Sequence, residues 1–176
     1  MRAFIAINLA DNVKLYLYDL QNKLLKETQR ISIAKNCHLT LKFLGNIDDN
    51  LLKIVRESLF HVKFKRFSFR LGMHGVFPSR KVISVIWMGI TPELEVIKLQ
   101  SLIDMSLMNY FPKEKKFKPH ITLARVKSIG NAEAFLKEAD KLQIKNFETN
   151  VEDFRLVKST LTKQGAMYED IETYPL

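Results

Sequence analysis

The same order of strand-like and helix-like hydrophobic patterns occurs twice along the chain. This duplication limits the possible folds more than any other feature. Strand patterns have apolar residues at every second position, and helix patterns have them at spacings of three and four. Both halves follow the order strand, helix, strand, helix, strand, and equivalent points lie about 80 residues apart. The duplication predicts a single bilobal domain over 1–176, with repeats over about 1–78 and 80–160 and a C-terminal strand over about 165–174.

The element boundaries follow from these patterns and from local capping signals. Besides the C-terminal strand, six strands are predicted, over 2–8, 37–44, 67–73, 82–90, 117–126 and 147–156. Four helices alternate with them: one carries Leu15 to Leu25, one follows the N-cap Asp48, one begins at Thr91-Pro92-Glu93, and one runs from Asn131 to Leu142. This order predicts an α+β fold, in which two mainly antiparallel sheets face a central cleft and helices cover the outer faces.

Composition narrows the class of protein. At 176 residues and 47% hydrophobic content, the chain can bury a sizeable core in one domain. The net charge of +9 favours polyanionic partners such as nucleic acid. The single cysteine, Cys37, cannot form an intrachain disulfide and argues against a thiolate zinc site, so we expect a reducing compartment.

The sequence shows neither a signal-peptide pattern nor a membrane-spanning segment. The apolar stretch at the N-terminus is broken by Asn8 and Asp11, which favours a strand over a signal peptide. No segment reaches the roughly 18 apolar residues that a membrane-spanning helix requires. We therefore expect a cytoplasmic protein with no membrane partner, and we expect it to be a monomer.

Two copies of a short polar motif occupy equivalent places in the duplication. His38-Leu39-Thr40-Leu41 lies in the second predicted strand of the first half, and His120-Ile121-Thr122-Leu123 lies in that of the second half. Residues i and i+2 of a strand point to the same face, so each histidine shares a face with its threonine. By the same parity Leu39, Leu41, Phe43, Ile121 and Leu123 face the helices, and the polar pairs face the cleft.

Two imidazoles and two hydroxyls that converge across a cleft suit in-line displacement at phosphorus. Because histidine titrates near neutral pH, one imidazole can take a proton from water while the other donates to the leaving oxygen. Each role typically contributes about 10²–10⁴ in rate. Hydroxyls that bond the non-bridging oxygens contribute roughly 1.5–3 kcal/mol each. This chemistry requires neither a cofactor nor a metal.

The sequence around these motifs resembles the 2H phosphoesterase superfamily. Within it the chain is most similar to the prokaryotic RNA 2',3'-cyclic phosphodiesterase family, also called 2'-5' RNA ligase. The resemblance spans nearly the whole chain and rests on the paired motifs and five further segments: Leu41-Lys42-Phe43-Leu44-Gly45, Pro119-His120-Ile121-Thr122-Leu123-Ala124-Arg125, Met1-Arg2-Ala3-Phe4-Ile5-Ala6, Gly75-Val76-Phe77-Pro78 and Gly165-Ala166-Met167-Tyr168.

The resemblance implies hydrolysis of RNA 2',3'-cyclic phosphate ends to 2'-phosphates, without a metal. A tRNA fragment, another RNA end and a small cyclic nucleotide are all open as the natural substrate. It implies that His38, Thr40, His120 and Thr122 are catalytic, and by analogy we assign His120 as the base and His38 as the acid. Some members also join or cleave 2'-5' RNA linkages, so 2'-5' RNA ligation as the main activity is an alternative that the resemblance allows.

Five residues are candidates for substrate binding. Lys42 follows Thr40 on the same strand face and can hold a phosphate, although a solvated lysine explains it nearly as well. Many relatives have an arginine three residues before the central-strand tryptophan, where this chain has Ser84, so Arg80 and Lys81 are candidates to replace it. The other two candidates are Phe43, which can stack a base, and Arg125, whose parity relative to His120 favours a rim or structural role.

Two other functions fit parts of the sequence. A non-catalytic RNA-binding module would explain the charge and the basic, aromatic-containing segments 61–66 and 113–118, but not the twin motifs. A histidine-ligated metal hydrolase is disfavoured, because two histidines fall short of the usual three protein ligands. Sensitivity to chelators would favour the metal hydrolase.

Overall fold

The computed structural model of the chain describes residues 1–24, 31–163 and 165–176. Nine strands and four helices are formed by these residues, in the following order: β1 (Arg2–Asn8), α1 (Asp11–Leu24), β2 (Ile31–Ile33), β3 (His38–Asn46), α2 (Asp49–Phe60), β4 (Phe67–Pro78), β5 (Ile83–Thr91), α3 (Leu94–Ser106), β6 (Ile121–Val126), α4 (Ala132–Asp140), β7 (Glu148–Val151), β8 (Asp153–Thr162) and β9 (Gly165–Pro175). Leu25, which the sequence pattern places in the first helix, lies outside the described residues. The predicted α+β class is confirmed.

The strands form one antiparallel sheet rather than the two that the duplication predicts. Its order is β7-β4-β5-β6-β3-β1-β8-β9, with β2 paired to β6. The strands that carry the two motifs, β3 and β6, pair at a single position, Leu39 opposite Ile121. This one pairing joins the two halves of the sheet into a continuous path.

The two predicted repeats are interleaved in the sheet. Strand β4, from the first repeat, pairs with β5 and β7, whereas β8, at the end of the second repeat, pairs with β1 and β9. The single strand predicted over 147–156 is therefore two strands, β7 and β8, which lie in opposite halves of the sheet. The chain crosses from one half to the other at Glu152, between them.

The helices pack on the face of the sheet that carries the apolar residues of the motifs. Buried residues from all four helices belong to one core cluster, which also contains Leu39, Leu41, Ile121 and Leu123. The opposite face is left for the histidines and threonines. None of the helices in the described ranges is long and apolar enough to span a membrane.

Two predicted N-caps are confirmed and one helix start is shifted. The carboxylate of Asp48 accepts a hydrogen bond from the Leu51 amide at 2.8 Å, and the Asn131 side chain accepts one from the Ala134 amide at 2.9 Å. Helix α3 begins at Leu94 instead of at Thr91. Thr91 still belongs to β5, where it pairs with Arg70, so the helix can start only beyond it.

Candidate active site

The two motif histidines are held in the same way. The Nδ1 atom of His38 lies 2.9 Å from the Asn36 carbonyl oxygen, and that of His120 lies 2.7 Å from the Lys118 carbonyl oxygen. In each case the acceptor is two residues before the histidine. Donation of the Nδ1 proton to a carbonyl leaves Nε2 as the nitrogen available for proton transfer. His38 begins β3, and His120 directly precedes β6 instead of lying within it.

One cavity of about 940 Å³ brings both histidines and both motif threonines together. Thr40 and Thr122 are half-buried, and neither hydroxyl has a hydrogen-bond partner among the described residues. The hydroxyls are therefore available to a ligand that enters the cavity. Two donors and two titratable nitrogens on one concave surface can bind an anion and exchange protons with it.

A β-bulge follows the threonine of each motif. Along β3, Thr40 pairs with Ala6 and Lys42 with the preceding residue Ile5, so Leu41 is the extra residue. Along β6, Thr122 pairs with Trp87 and Ala124 with Ile86, so Leu123 is the extra residue. Beyond each bulge the alternation of faces is reversed.

The reversal makes the side predicted by parity wrong for three residues. Phe43, expected on the helix face by parity, is 61% exposed and lines the cavity. Lys42, expected on the cavity face, points to the helix side and is 4% exposed. Arg125, for which parity favours a rim or structural role, also lines the cavity. Phe43 and Arg125 follow their histidines by the same number of residues.

Lys42 belongs to a buried polar network under the sheet. Its ammonium donates to Asp104 and, at 2.9 Å, to the Pro112 carbonyl. The other oxygen of Asp104 accepts from Gln100 and from the Glu114 amide. Burial alone would raise the pKa of Asp104, but these hydrogen bonds outweigh it and hold the pKa below its usual value. This lysine therefore ties β3 to α3 and does not reach a substrate.

The two cations proposed to replace the family arginine lie outside the cavity. Arg80 is exposed and forms a bidentate ion pair with Asp140, with a shorter contact of 2.6 Å. Lys81 is exposed in the turn between β4 and β5, and Ser84 is exposed as well. None of the three lines the cavity.

Aromatic rings pack against both imidazoles. His38 stacks on Phe4 with ring centroids 4.8 Å apart, and Tyr168 meets it edge to face at 5.1 Å. His120 meets Phe77 edge to face at 5.1 Å, and Phe77 in turn stacks on Trp87 at 5.0 Å. The rings fix the imidazoles in place and remove part of their hydration.

Both histidines are less basic than usual. Burial is the largest cause and lowers both pKa values from the ordinary 6.5, because desolvation penalises the imidazolium form. The carbonyl hydrogen bonds oppose this shift, whereas the positive charge of Arg125 lowers the pKa of both histidines further. A positive charge on His120 also lowers the pKa of His38, after burial and the charge of Arg125.

The cavity is cationic. Arg2, Lys35 and Arg125 line it, and none of the three forms an ion pair within the described part of the chain. No aspartate or glutamate among the described residues contributes to its wall. Within the same ranges, no three His, Cys, Asp or Glu side chains are grouped so that they could hold a metal ion. The charge of the cavity thus suits an anionic ligand.

Three residues in the wall of this cavity were not predicted from the sequence: Arg2, Phe4 and Lys35. The first two could have been found from β1, where Arg2, Phe4, Ala6 and Asn8 share one face. Polar residues at both ends of that face indicate that it borders the cavity and not the helices. Lys35 lies in the loop before β3, where strand parity gives no signal.

Comparison with known proteins identifies the family of the chain. The chain matches the family model described as LigT-like phosphoesterase over residues 7–87 and 90–168. An RNA 2',3'-cyclic phosphodiesterase of Methanocaldococcus jannaschii is 31% identical over 176 residues, which cover 99% of this chain and 100% of the relative. A protein of the same name from Archaeoglobus fulgidus is 32% identical over 99% of both chains.

Solved structures share the fold. A crystal structure of a Thermus thermophilus protein superimposes with a TM-score of 0.81 at 27% identity, over 100% of this chain and 98% of the other. Escherichia coli LigT complexed with 3'-AMP gives a TM-score of 0.77 at 23% identity, over 99% and 97% of the two chains. From its sequence and its fold together, this chain belongs to the family of LigT-like phosphoesterases.

Proposed function

We propose that this phosphoesterase hydrolyses 2',3'-cyclic phosphate ends of RNA to 2'-phosphates, with His38 and His120 as its acid and base. The observation that carries the proposal is the presence of two equivalently held imidazoles in one cavity with two threonine hydroxyls. Within the described part of the chain, neither Nε2 atom and neither hydroxyl has a hydrogen-bond partner. Such a pair supplies the proton donor and the proton acceptor that phosphodiester hydrolysis requires.

RNA is the substrate class that the cavity and the relatives favour. Relatives that match nearly the full chain are named RNA 2',3'-cyclic phosphodiesterase. A cavity with three unpaired cations and no carboxylate among the described residues attracts a phosphate backbone. Residues 1–176 act as one phosphoesterase domain, whose two matched segments, 7–87 and 90–168, each contain one motif.

The reaction proceeds by a single in-line displacement. Nε2 of neutral His120 takes a proton from a water molecule, and the water oxygen forms a bond to phosphorus. The bond from phosphorus to the 3'-oxygen breaks on the opposite side, and protonated His38 donates its Nε2 proton to that oxygen. The phosphate remains on the 2'-oxygen, and the imidazoles exchange protonation states with water before the next turnover.

Three side chains stabilise the charge that builds on the phosphate. The hydroxyls of Thr40 and Thr122 donate to the non-bridging oxygens, and Arg125 supplies a positive charge beside both histidines. The exposed ring of Phe43 offers a surface for a nucleobase in the same cavity.

The test is the turnover of an RNA oligonucleotide with a 2',3'-cyclic phosphate end in the presence of EDTA. We expect hydrolysis to a 2'-phosphate, and we expect His38→Ala and His120→Ala each to lose at least about 10²-fold in rate. His61→Ala, at an exposed histidine at the end of α2, is the matched control and should match the wild-type protein.

Three results would contradict the proposal in different parts. Full activity in either cavity variant would remove that histidine from the chemistry, and loss of activity in EDTA would indicate a metal-dependent hydrolase. A 3'-phosphate product would reverse the leaving-group assignment. Salt-dependent RNA binding without turnover, retained in both variants, would identify an RNA-binding module instead.

A further inference from the structure

A second, smaller cavity lies directly beside the first. Its volume is about 270 Å³, and its wall includes Phe4, Asn36, His38 and Tyr168, which also line the main cavity. His38 and the rings packed on it therefore separate two adjoining spaces. Sites for drug-sized ligands usually measure about 300–1,000 Å³. The smaller cavity lies just below this range, so it suits a single nucleoside-sized group.

The polar groups of the second cavity suit a nucleotide. Lys14, in the first turn of α1, lines it, and its only ion-pair partner in the described ranges is Asp11, at 3.6 Å. Asp11 is 95% exposed, so water competes for this contact and leaves the lysine charge available. The side-chain amides of Asn8 and Asn36 also line the cavity and have no hydrogen-bond partner among the described residues, so they can bond the edge of a base.

The carboxylate in this cavity is neutralised within the protein. Asp170 lines the wall, and Arg155 donates to it at 2.5 Å. Arg155 also contacts Asp153 at 3.1 Å. Lys14 is therefore the cation of this wall that is left for a phosphate, and its charge reaches His38, whose pKa it lowers.

We propose that this cavity, called here the upstream subsite, binds the RNA nucleotide that precedes the one bearing the cyclic phosphate, with Lys14 against the phosphate between them. The inference rests on the proposed function. If His38 protonates the 3'-oxygen, the terminal ribose lies beside His38, and the strand continues from its 5'-oxygen into a neighbouring space. The main cavity, with the exposed ring of Phe43, is large enough for the terminal base itself.

The test compares two substrates that differ by one nucleotide. The value of kcat/KM is measured for a 2',3'-cyclic mononucleotide and for a dinucleotide with the same cyclic end. We expect the kcat/KM ratio of dinucleotide to mononucleotide to exceed one in the wild-type protein. In Lys14→Met the ratio should fall about five- to tenfold, because one charge-assisted contact to a partly solvated phosphate is lost. Asn8→Ala, which removes a base contact, should lower the same ratio.

The matched control is Lys23→Met, which removes an exposed lysine from the same helix, away from both cavities. It should keep the wild-type ratio. An unchanged ratio in both Lys14→Met and Asn8→Ala overturns the upstream subsite, as does an equal loss on both substrates, which would assign the cavity to the terminal nucleotide. Failure to hydrolyse either substrate in the wild-type protein would instead contradict the proposed function.

Discussion

Phe43 and Arg125 occupy equivalent positions in the two motif strands, each turned toward the cavity by the bulge that follows its motif threonine. The two motifs are alike in His, Thr and Leu, yet past the bulges one strand presents an aromatic ring and the other a cation. The cavity is therefore unequal on its two sides. A ring suits a base and a cation suits a phosphate, so the difference gives the substrate a direction.

The activity should have an acidic pH optimum. The proposed mechanism needs one neutral and one protonated histidine, and both pKa values lie below the ordinary 6.5. The protonated form of the acid is lost as the pH rises through its lowered pKa, and the neutral form of the base is lost as the pH falls through its own. We expect the maximum of kcat/KM below pH 6.5, measured on a cyclic mononucleotide. A maximum above neutral pH would contradict these directions.

Replacement of Arg125 should move that optimum. Its charge lowers the pKa of both histidines, so Arg125→Met should raise both and shift the whole profile toward higher pH. The rate at the optimum should fall, since a cation beside the phosphate is lost. Arg66→Met, at an exposed arginine that does not line the cavity, should leave the profile in place. A lower rate with an unmoved profile would mean that Arg125 acts without affecting the imidazoles.

The threonine hydroxyls should contribute to the rate but not to stability. Thr40→Val and Thr122→Val keep the shape of the side chain and remove the hydroxyl, which has no protein partner in the described ranges. We expect each to reduce kcat/KM about 10–100-fold, with little change in Tm. Thr40→Ser and Thr122→Ser restore the hydroxyl and should recover most of the activity. If the serine variants lose as much activity as the valine variants, the effect comes from packing of the threonine side chain and not from its hydroxyl.

Lys42 should matter for stability. Lys42→Met leaves the carboxylate of Asp104 buried without its cation and should cost about 3–5 kcal/mol in the free energy of unfolding, measured with urea at neutral pH. The double variant Lys42→Met/Asp104→Leu removes both charges and should regain much of that loss. Lys137→Met, which breaks the exposed pair with Glu133, is the control and should cost less than about 1 kcal/mol. A small effect of Lys42→Met would contradict the buried network.

Gly75 makes room for the ring that supports His120 through Phe77. A Cβ at this position would lie 2.2 Å from the Trp87 ring, so Gly75→Ala must displace the indole. We expect lower activity together with a changed emission spectrum, which reports this ring alone because the chain contains one tryptophan. Gly130→Ala, where a Cβ would meet nothing within 4 Å, is the matched control. Normal activity with a shifted spectrum would show that the ring does not position the histidine.

Strand parity predicted the facing of the motif residues but not of those beyond them. His38 and Thr40 share a face as expected, because the strand is regular up to the threonine. The positions of Lys42 and Phe43 could not be predicted, since a bulge depends on how the neighbouring strand pairs and leaves no mark in local periodicity. Arg125 changes its side for the same reason.

The pairing of the strands could also be predicted only in part from the sequence. Two sheets were expected because the duplication suggests that each repeat folds on itself. The last strand of each repeat instead pairs in the other half of the sheet, and such long-range pairing is not encoded in any short segment. The short strand β2 was not predicted, since three residues are too few to establish an alternation.

The pairing of Leu39 with Ile121 has a mechanical consequence. These two residues directly follow the two histidines, and they form the single point at which β3 and β6 pair. Each imidazole is therefore one residue away from the backbone pairing that joins the two halves, so this pairing helps to set the separation of the two rings. We therefore expect a shift of one half of the sheet against the other to change the distance between His38 and His120 directly.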